Sequence, residues 1–263
     1  MAGPSYVEVT RDGPVATVLM RRPDVHNAFD EHMIGQLGDA FARVRDEEGV
    51  RAVILAGEGR SFSAGADLDW MRRAAEFSAE ENQRDATELT SMLRAVAECP
   101  RPVIARVQGA AFGGGAGLVA AADIAVASDA ARFGFTEVRL GLVPATIAPH
   151  VIEKIGRGHA RRLFLTGERF GAAEALAIGL VHRVVAAEEL DAAVDDIASA
   201  LIAGGPEAQR ACKELVRKAA SNSSETDSYT ADLIARVRSG AEAREGVSAF
   251  LEKRKPRWAE HDA

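Results

Sequence analysis

The 263-residue chain predicts an α/β fold, with parallel strands joined by helical crossovers and a carboxyl-terminal helical region that lacks strands. Three observations carry this expectation. Strand-like and helix-like periods alternate through the first two-thirds of the sequence. A glycine-rich turn separates a strand from a helix near the centre. Beyond about residue 187 only helical periods remain.

Residues 6–10 and 15–20 are alternating or β-branched around Arg11-Asp12-Gly13-Pro14, which is a hairpin signal. Asp30 stands at a helix N-cap, ahead of Met33, Leu37, Phe41 and Val44 on one apolar face. Residues 50–55 read as a short buried strand, ended by Gly57-Glu58-Gly59. A helical pattern over 80–98 closes at Cys99-Pro100-Arg101-Pro102. A strand over 103–107, a short helix over 115–122 and a strand over 124–127 continue the alternation. Helices over 188–203, 206–219, 225–238 and 240–253 form a tail too thin for its own core. It is expected to pack on a neighbouring element or another subunit.

The composition, 47% hydrophobic and 27% charged, is that of a soluble globular protein. A net charge of −7 argues against a general nucleic-acid or membrane-surface role. Cys99 and Cys212 form neither a disulfide framework nor a metal set, and read as reduced thiols in a cytoplasmic protein. Residues 1–5 lack the basic-then-apolar order of a signal peptide. The weakly polar run over 109–127 is mostly Ala and Gly and contains Asp123, which suits tight packing better than a membrane.

Four glycines in the five residues Gly113-Gly114-Gly115-Ala116-Gly117 leave backbone N–H groups accessible at a helix start. Gly115-x-Gly117-x-x-Ala120, with Glu137 20 residues beyond Gly117, mimics a dinucleotide fingerprint. The helix is too short for that motif and lies mid-chain, and no Gly-Lys-Ser/Thr follows for a phosphate loop. Ser63 resembles a nucleophile in an elbow, but Ser61 stands where that motif needs glycine. Histidines 26, 32, 150, 159, 182 and 261 offer no base partner and no metal-ligand spacing. Glu137 lies among apolar residues, where burial would raise its pKa toward a working value. Pairing with Arg139 or Arg132 is the competing expectation.

Three motifs stand in order: Ser63-Ala64-Gly65-Ala66-Asp67, the stretch 109–115, and Phe133-Gly134-x-x-Glu137-x-x-x-Gly141-x-x-Pro144. With Arg22-Pro23-Asp24-Val25-His26-Asn27-Ala28-Phe29 near one end and 250–256 near the other, essentially the whole chain resembles the crotonase family, the enoyl-CoA hydratase/isomerase group. The resemblance implies a crotonase-like spiral of ββα units over residues 1–200. It also implies a C-terminal α-helical trimerisation region over 201–263, building a homotrimer or a hexamer of paired trimers. The N–H groups of Ala66 and Gly114 would form an oxyanion hole, and Glu137 would carry the proton. Coenzyme A contacts are implied near His26, Ala28, Ala64, Asp67 and Leu68, with Lys253, Arg254 and Lys255 toward the phosphates. Coenzyme A belongs to the acyl-CoA thioester substrate, so no separate cofactor and no metal is expected.

Gly117 stands where two-glutamate hydratases of the family carry a further carboxylate. A single glutamate suits either a hydratase or a Δ3,Δ2-enoyl-CoA isomerase. The stretches 109–118 and 135–149 resemble a hydratase subgroup acting on methylglutaconyl-CoA, of leucine breakdown, and isohexenylglutaconyl-CoA. That favours a hydratase for a branched, carboxylated acyl group. Arg139, or else His150, is then expected to meet the second carboxylate, with Gly117 lining the substrate pocket. A family member that binds RNA supplies a third alternative, against which the acidic charge and absence of a Lys/Arg-rich helix count.

Overall fold

Gly13 adopts φ +53° and turns the chain between β1 (Val7–Asp12) and β2 (Val15–Met20), which pair antiparallel with Asp12 opposite Val15. The computed structural model describes residues 5–219 and 223–259; residues 1–4 and His261 therefore lie outside it. Alternate residues of β2 (Ala16, Val18, Met20) are fully buried. They meet α1 (Glu31–Asp46), whose first turn is capped by Asp30 accepting from the Met33 N–H at 2.8 Å. The expected apolar face of α1 is buried, including Met33, Leu37, Phe41 and Val44.

The chain then winds through β3 (Ala52–Gly57), α2 (Leu68–Ala74), α3 (Ala79–Ala97), β4 (Val103–Val107) and β5 (Ala110–Phe112). It continues through α4 (Gly114–Ala121), β6 (Ile124–Ser128), β7 (Arg132–Gly134), α5 (Ala148–Thr166), β8 (Arg169–Gly171), α6 (Ala172–Ala177) and β9 (Arg183–Val185). Six strands form one sheet in the order β1-β2-β3-β4-β6-β9, parallel from β2 onward. Among the helical crossovers that such pairing requires, α1, α3 and α4 are the ones the alternation predicted, whereas the β6-to-β9 crossover through α5 and α6 was not.

Side-chain parity divides the core. Val103, Ala105 and Val107 face the large cluster beneath α1, α3 and α4, whereas Ile104 and Val126 face the other way. That second face is covered by α7 (Leu190–Ala203) through Leu190, Ala193, Val194 and Ala198. The tail helices α8 (Pro206–Lys218), α9 (Ser224–Ser239) and α10 (Ala241–Leu251) pack largely on one another. Two polar ties bind this tail to the core. Lys213 meets Asp123 at 2.6 Å, and the buried Arg51 guanidinium donates to the carbonyls of Ile202, Gly204 and Trp258. The tail leaves Val216, Ile234, Val247, Phe250 and Leu251 exposed.

A small second sheet, β5-β7-β8, positions the site. Its core is aromatic: Phe133 stacks on Phe170 at 5.8 Å, and Phe135 meets Phe164 edge-on at 5.3 Å. Parallel pairing of β5 with β7 sets Phe112 opposite Gly134. The two segments that follow, Gly113-Gly114 and Phe135-Thr136-Glu137, are thereby laid side by side.

Candidate active site

Four chain segments converge beyond the carboxyl ends of β3 and β4. Phe29 bridges Ala66, donating to the Gly65 carbonyl at 2.7 Å and accepting from the Asp67 N–H at 2.8 Å. Ser63 bridges Ala111, with its N–H on Ala110 and its carbonyl accepting from Phe112. The Gly113 N–H donates to the Gly134 carbonyl at 2.9 Å. Gly65 has φ +92°, and a methyl group on it would come 2.9 Å from the Phe112 carbonyl oxygen, so only glycine permits this approach.

The N–H groups of Ala66 and Gly114 in this junction have no acceptor among the described residues. Ala66 is exposed, and Gly114, the first residue of α4, is half-buried. The amino end of α4 adds partial positive charge there. Glu137 opens a 3₁₀ turn on the facing segment. Its Oε1 would lie 3.3 Å from a methyl group on Gly113, so the carboxyl stands beside the same junction.

The Glu137 Oε2 is buried without a hydrogen-bond partner. Burial pushes its pKa up, and its own backbone N–H only partly offsets this. Neither neighbouring arginine neutralises it. Arg132 turns to the carbonyls of Ala130 and Ala131, at 3.2 and 2.9 Å. Arg139 is exposed and lies along Gly167 at the carboxyl end of α5. The arrangement is a carboxyl of raised proton affinity next to two fixed donors, able to move a proton while an adjacent oxygen gains charge.

The expected coenzyme A contacts divide. The His26 carbonyl accepts from the Ala64 N–H at 2.9 Å, and the Ala28 carbonyl accepts from Arg22 at 2.8 Å. Leu68 is exposed and available. The Asp67 side chain turns inward, capping α2 by accepting from Asp69 and Trp70 N–H groups and meeting Arg22 at 3.1 Å. Burial alone would raise the Asp67 pKa, but those N–H donors and the guanidinium outweigh it and hold the carboxyl low. Lys253 belongs to the tail, which returns to Arg51 ahead of β3, and is not among the residues that meet at Glu137. His150 lies in a separate cleft of about 970 Å³ between α3, α5 and α8, with Arg94, Glu98, Lys154 and Lys213. That cleft is lined by neither Ala66 nor Gly114.

Gly117 is buried, and a methyl group there would sit 2.2 Å from Ile147 Cγ2. Three contributors went unanticipated. The Phe29 ring backs Gly114, where an added methyl would approach it to 2.8 Å. Arg22 bridges Asp30 and Asp67, each at 3.1 Å, and so ties the caps of α1 and α2 together behind Ala66. Ile147 is the third. Only Arg22 left a signal, since a cation at the head of a segment with two cap aspartates invites such a tie.

The model of the family described as "Enoyl-CoA hydratase/isomerase" matches residues 10–261. The chain belongs to the enoyl-CoA hydratase/isomerase family. An enoyl-CoA hydratase structure from Shewanella pealeana superposes with a TM-score of 0.94 at 40% identity, covering 97% of this chain and 96% of the other. Crotonyl-CoA hydratase of Syntrophomonas wolfei is 33% identical over 93% of this chain and 94% of its own length. Short-chain-enoyl-CoA hydratase of Clostridium acetobutylicum is 31% identical over 95% of each. Family membership accounts for the spiral architecture and its helical tail. Among the described residues there is no cluster of metal ligands, and no helix is long and apolar enough to cross a membrane.

The position of Glu137 generates a prediction. A carboxyl whose pKa is raised in the folded state stabilises fully below the unfolded pKa, roughly 4.3, and loses that contribution as pH rises through the folded value. Glu137→Gln should therefore unfold at a higher temperature than the parent at pH 8, with the gap closing toward pH 4. A parent more stable than the variant at pH 8 would contradict the burial of this charge.

Proposed function

We propose that the protein is an enoyl-CoA hydratase working with one carboxyl, Glu137, and two backbone donors, the N–H groups of Ala66 and Gly114. The observation that carries the reading is the pair of acceptor-free N–H groups beside a buried carboxyl of raised pKa. A thioester oxygen held by both donors would draw electrons from the conjugated double bond. The Glu137 carboxylate takes a proton from water as the water oxygen bonds to Cβ, and the π electrons move through Cα onto the thioester oxygen. The resulting enolate is stabilised by donors already in place. Its collapse takes the proton back from Glu137 onto Cα, so one water is added and the carboxylate is regenerated. Addition on one face lets a single carboxyl serve both steps.

The finer reading is a branched glutaconyl-type substrate such as 3-methylglutaconyl-CoA, supported by the resemblance of segments 109–118 and 135–149 to that subgroup. Its second carboxylate needs a cation if it is desolvated. Arg139, on the turn that begins with Glu137, is the candidate, provided it leaves Gly167. We extend the proposal to a self-associated enzyme, because the apolar tail residues Phe250 and Leu251 are left 81% and 73% exposed by a single chain. Sedimentation of the purified protein as a monomer at micromolar concentration would count against that extension.

The catalytic test offers 3-methylglutaconyl-CoA, crotonyl-CoA and a 3-enoyl-CoA to the parent, Glu137→Gln and Arg139→Ala. Hydration should fall by about 10²–10⁴-fold in Glu137→Gln, the usual worth of a general acid–base group. Arg139→Ala should raise KM for the glutaconyl substrate and leave that for crotonyl-CoA unchanged. Double-bond migration in the 3-enoyl substrate without hydration would make the protein a Δ3,Δ2-isomerase. Hydration unaffected by Glu137→Gln would overturn the mechanism.

A further inference from the structure

Where another side chain of α4 would enter the site, the structure has a wall. The Gly117 N–H donates to the Gly113 carbonyl at 2.9 Å, so Gly114 and Gly117, three residues apart, share a face of the helix. That face is bare of side chains, and Ile147 fills the space. A methyl group at position 117 would come 2.2 Å from Ile147 Cγ2 and 2.8 Å from its Cβ. Leu93 of α3 closes the other side at 3.7 Å.

Ile147 has little freedom to withdraw. It is 1% exposed and β-branched, with restricted χ1, and it is the N-cap residue of α5. The Ala148 N–H donates to the Pro144 carbonyl at 3.0 Å, and the Ile147 carbonyl accepts from Val151 at 3.1 Å. Pro149 restricts the backbone just beyond. The nearest clashing atom is one bond from a Cβ that is itself too close, so no rotation of the side chain removes the overlap.

We infer that Ile147 is a specificity-determining residue that walls off α4 at Gly117 and leaves Glu137 as the carboxyl beside the Ala66–Gly114 junction. The geometry stands by itself; only the catalytic consequence rests on the hydratase reading.

The test is a pair of mutant cycles: Gly117→Ala and Gly117→Glu, each alone and combined with Ile147→Gly. The first readout is the thermal midpoint, which needs no activity. Either Gly117 substitution should lower the midpoint by several degrees in the parent and by clearly less in the Ile147→Gly background. Strictly additive shifts would overturn the wall. If Gly117→Glu does not fold, the Gly117→Ala cycle makes the same comparison with one methyl group. The second readout is crotonyl-CoA hydration. The Gly117→Glu/Ile147→Gly protein should exceed each single variant by at least about tenfold in kcat/KM, or roughly 1.4 kcal/mol. No gain, with coupled midpoints, would confine Ile147 to packing and overturn its role in specificity. Failure of the hydratase reading itself would appear separately, as hydration that survives Glu137→Gln in an unaltered Ile147 background.

Discussion

The N–H groups of Ala66 and Gly114 are left without an acceptor among the described residues, and the local sequence is shaped by how their segments meet. Those segments nearly touch at Gly65 and Gly113. The segments do so because each is pinned on its far side: Phe29 takes both neighbours of Ala66, and Gly134 takes the N–H of Gly113. Side chains larger than a methyl are excluded through most of this junction. Gly113 has no side chain and so gives α4 no capping oxygen, which leaves the amino end of the helix open.

The facing carboxyl obeys a complementary logic. Glu137 lies on a segment delivered by β7, three residues long, whose placement depends on an aromatic cluster of Phe133, Phe135, Phe164 and Phe170. No cation is spent on it, and its raised pKa follows from desolvation. Charge balance is used instead behind the donor loop, where Arg22 satisfies two aspartates whose main task is to cap helices. Positive charge that steadies the scaffold is thus kept apart from the Glu137 carboxyl. Ile147 completes the enclosure with hydrocarbon.

Much of this was legible in the sequence wherever the signal was local. The Gly13 turn, the Asp30 cap and the four tail helices each carry their own punctuation, and their boundaries fall within a few residues of expectation. The family resemblance implied Ala66, Gly114 and Glu137, and the segments that carry them lie side by side. What stayed hidden is non-local or short. Strands β5, β7 and β8 have three residues each, too few for a period of two to register. Helix α5 is interrupted at Gly156, with φ 72° and ψ 161°, which breaks its helical pattern. Nothing local to Gly117 signals Ile147, 30 residues later, which packs against it. Arg139 has a sequence position next to the chemistry but a side chain carried along Gly167.

The central claim is that Ala66 and Gly114 polarise a thioester carbonyl before any bond is made. Infrared difference spectra of crotonyl-CoA carrying a ¹³C thioester carbonyl, bound to Glu137→Gln so that turnover is suppressed, address it directly. The account predicts a carbonyl stretch displaced to lower frequency than that of the free thioester. A band at the free frequency, with the ligand demonstrably bound, would contradict it.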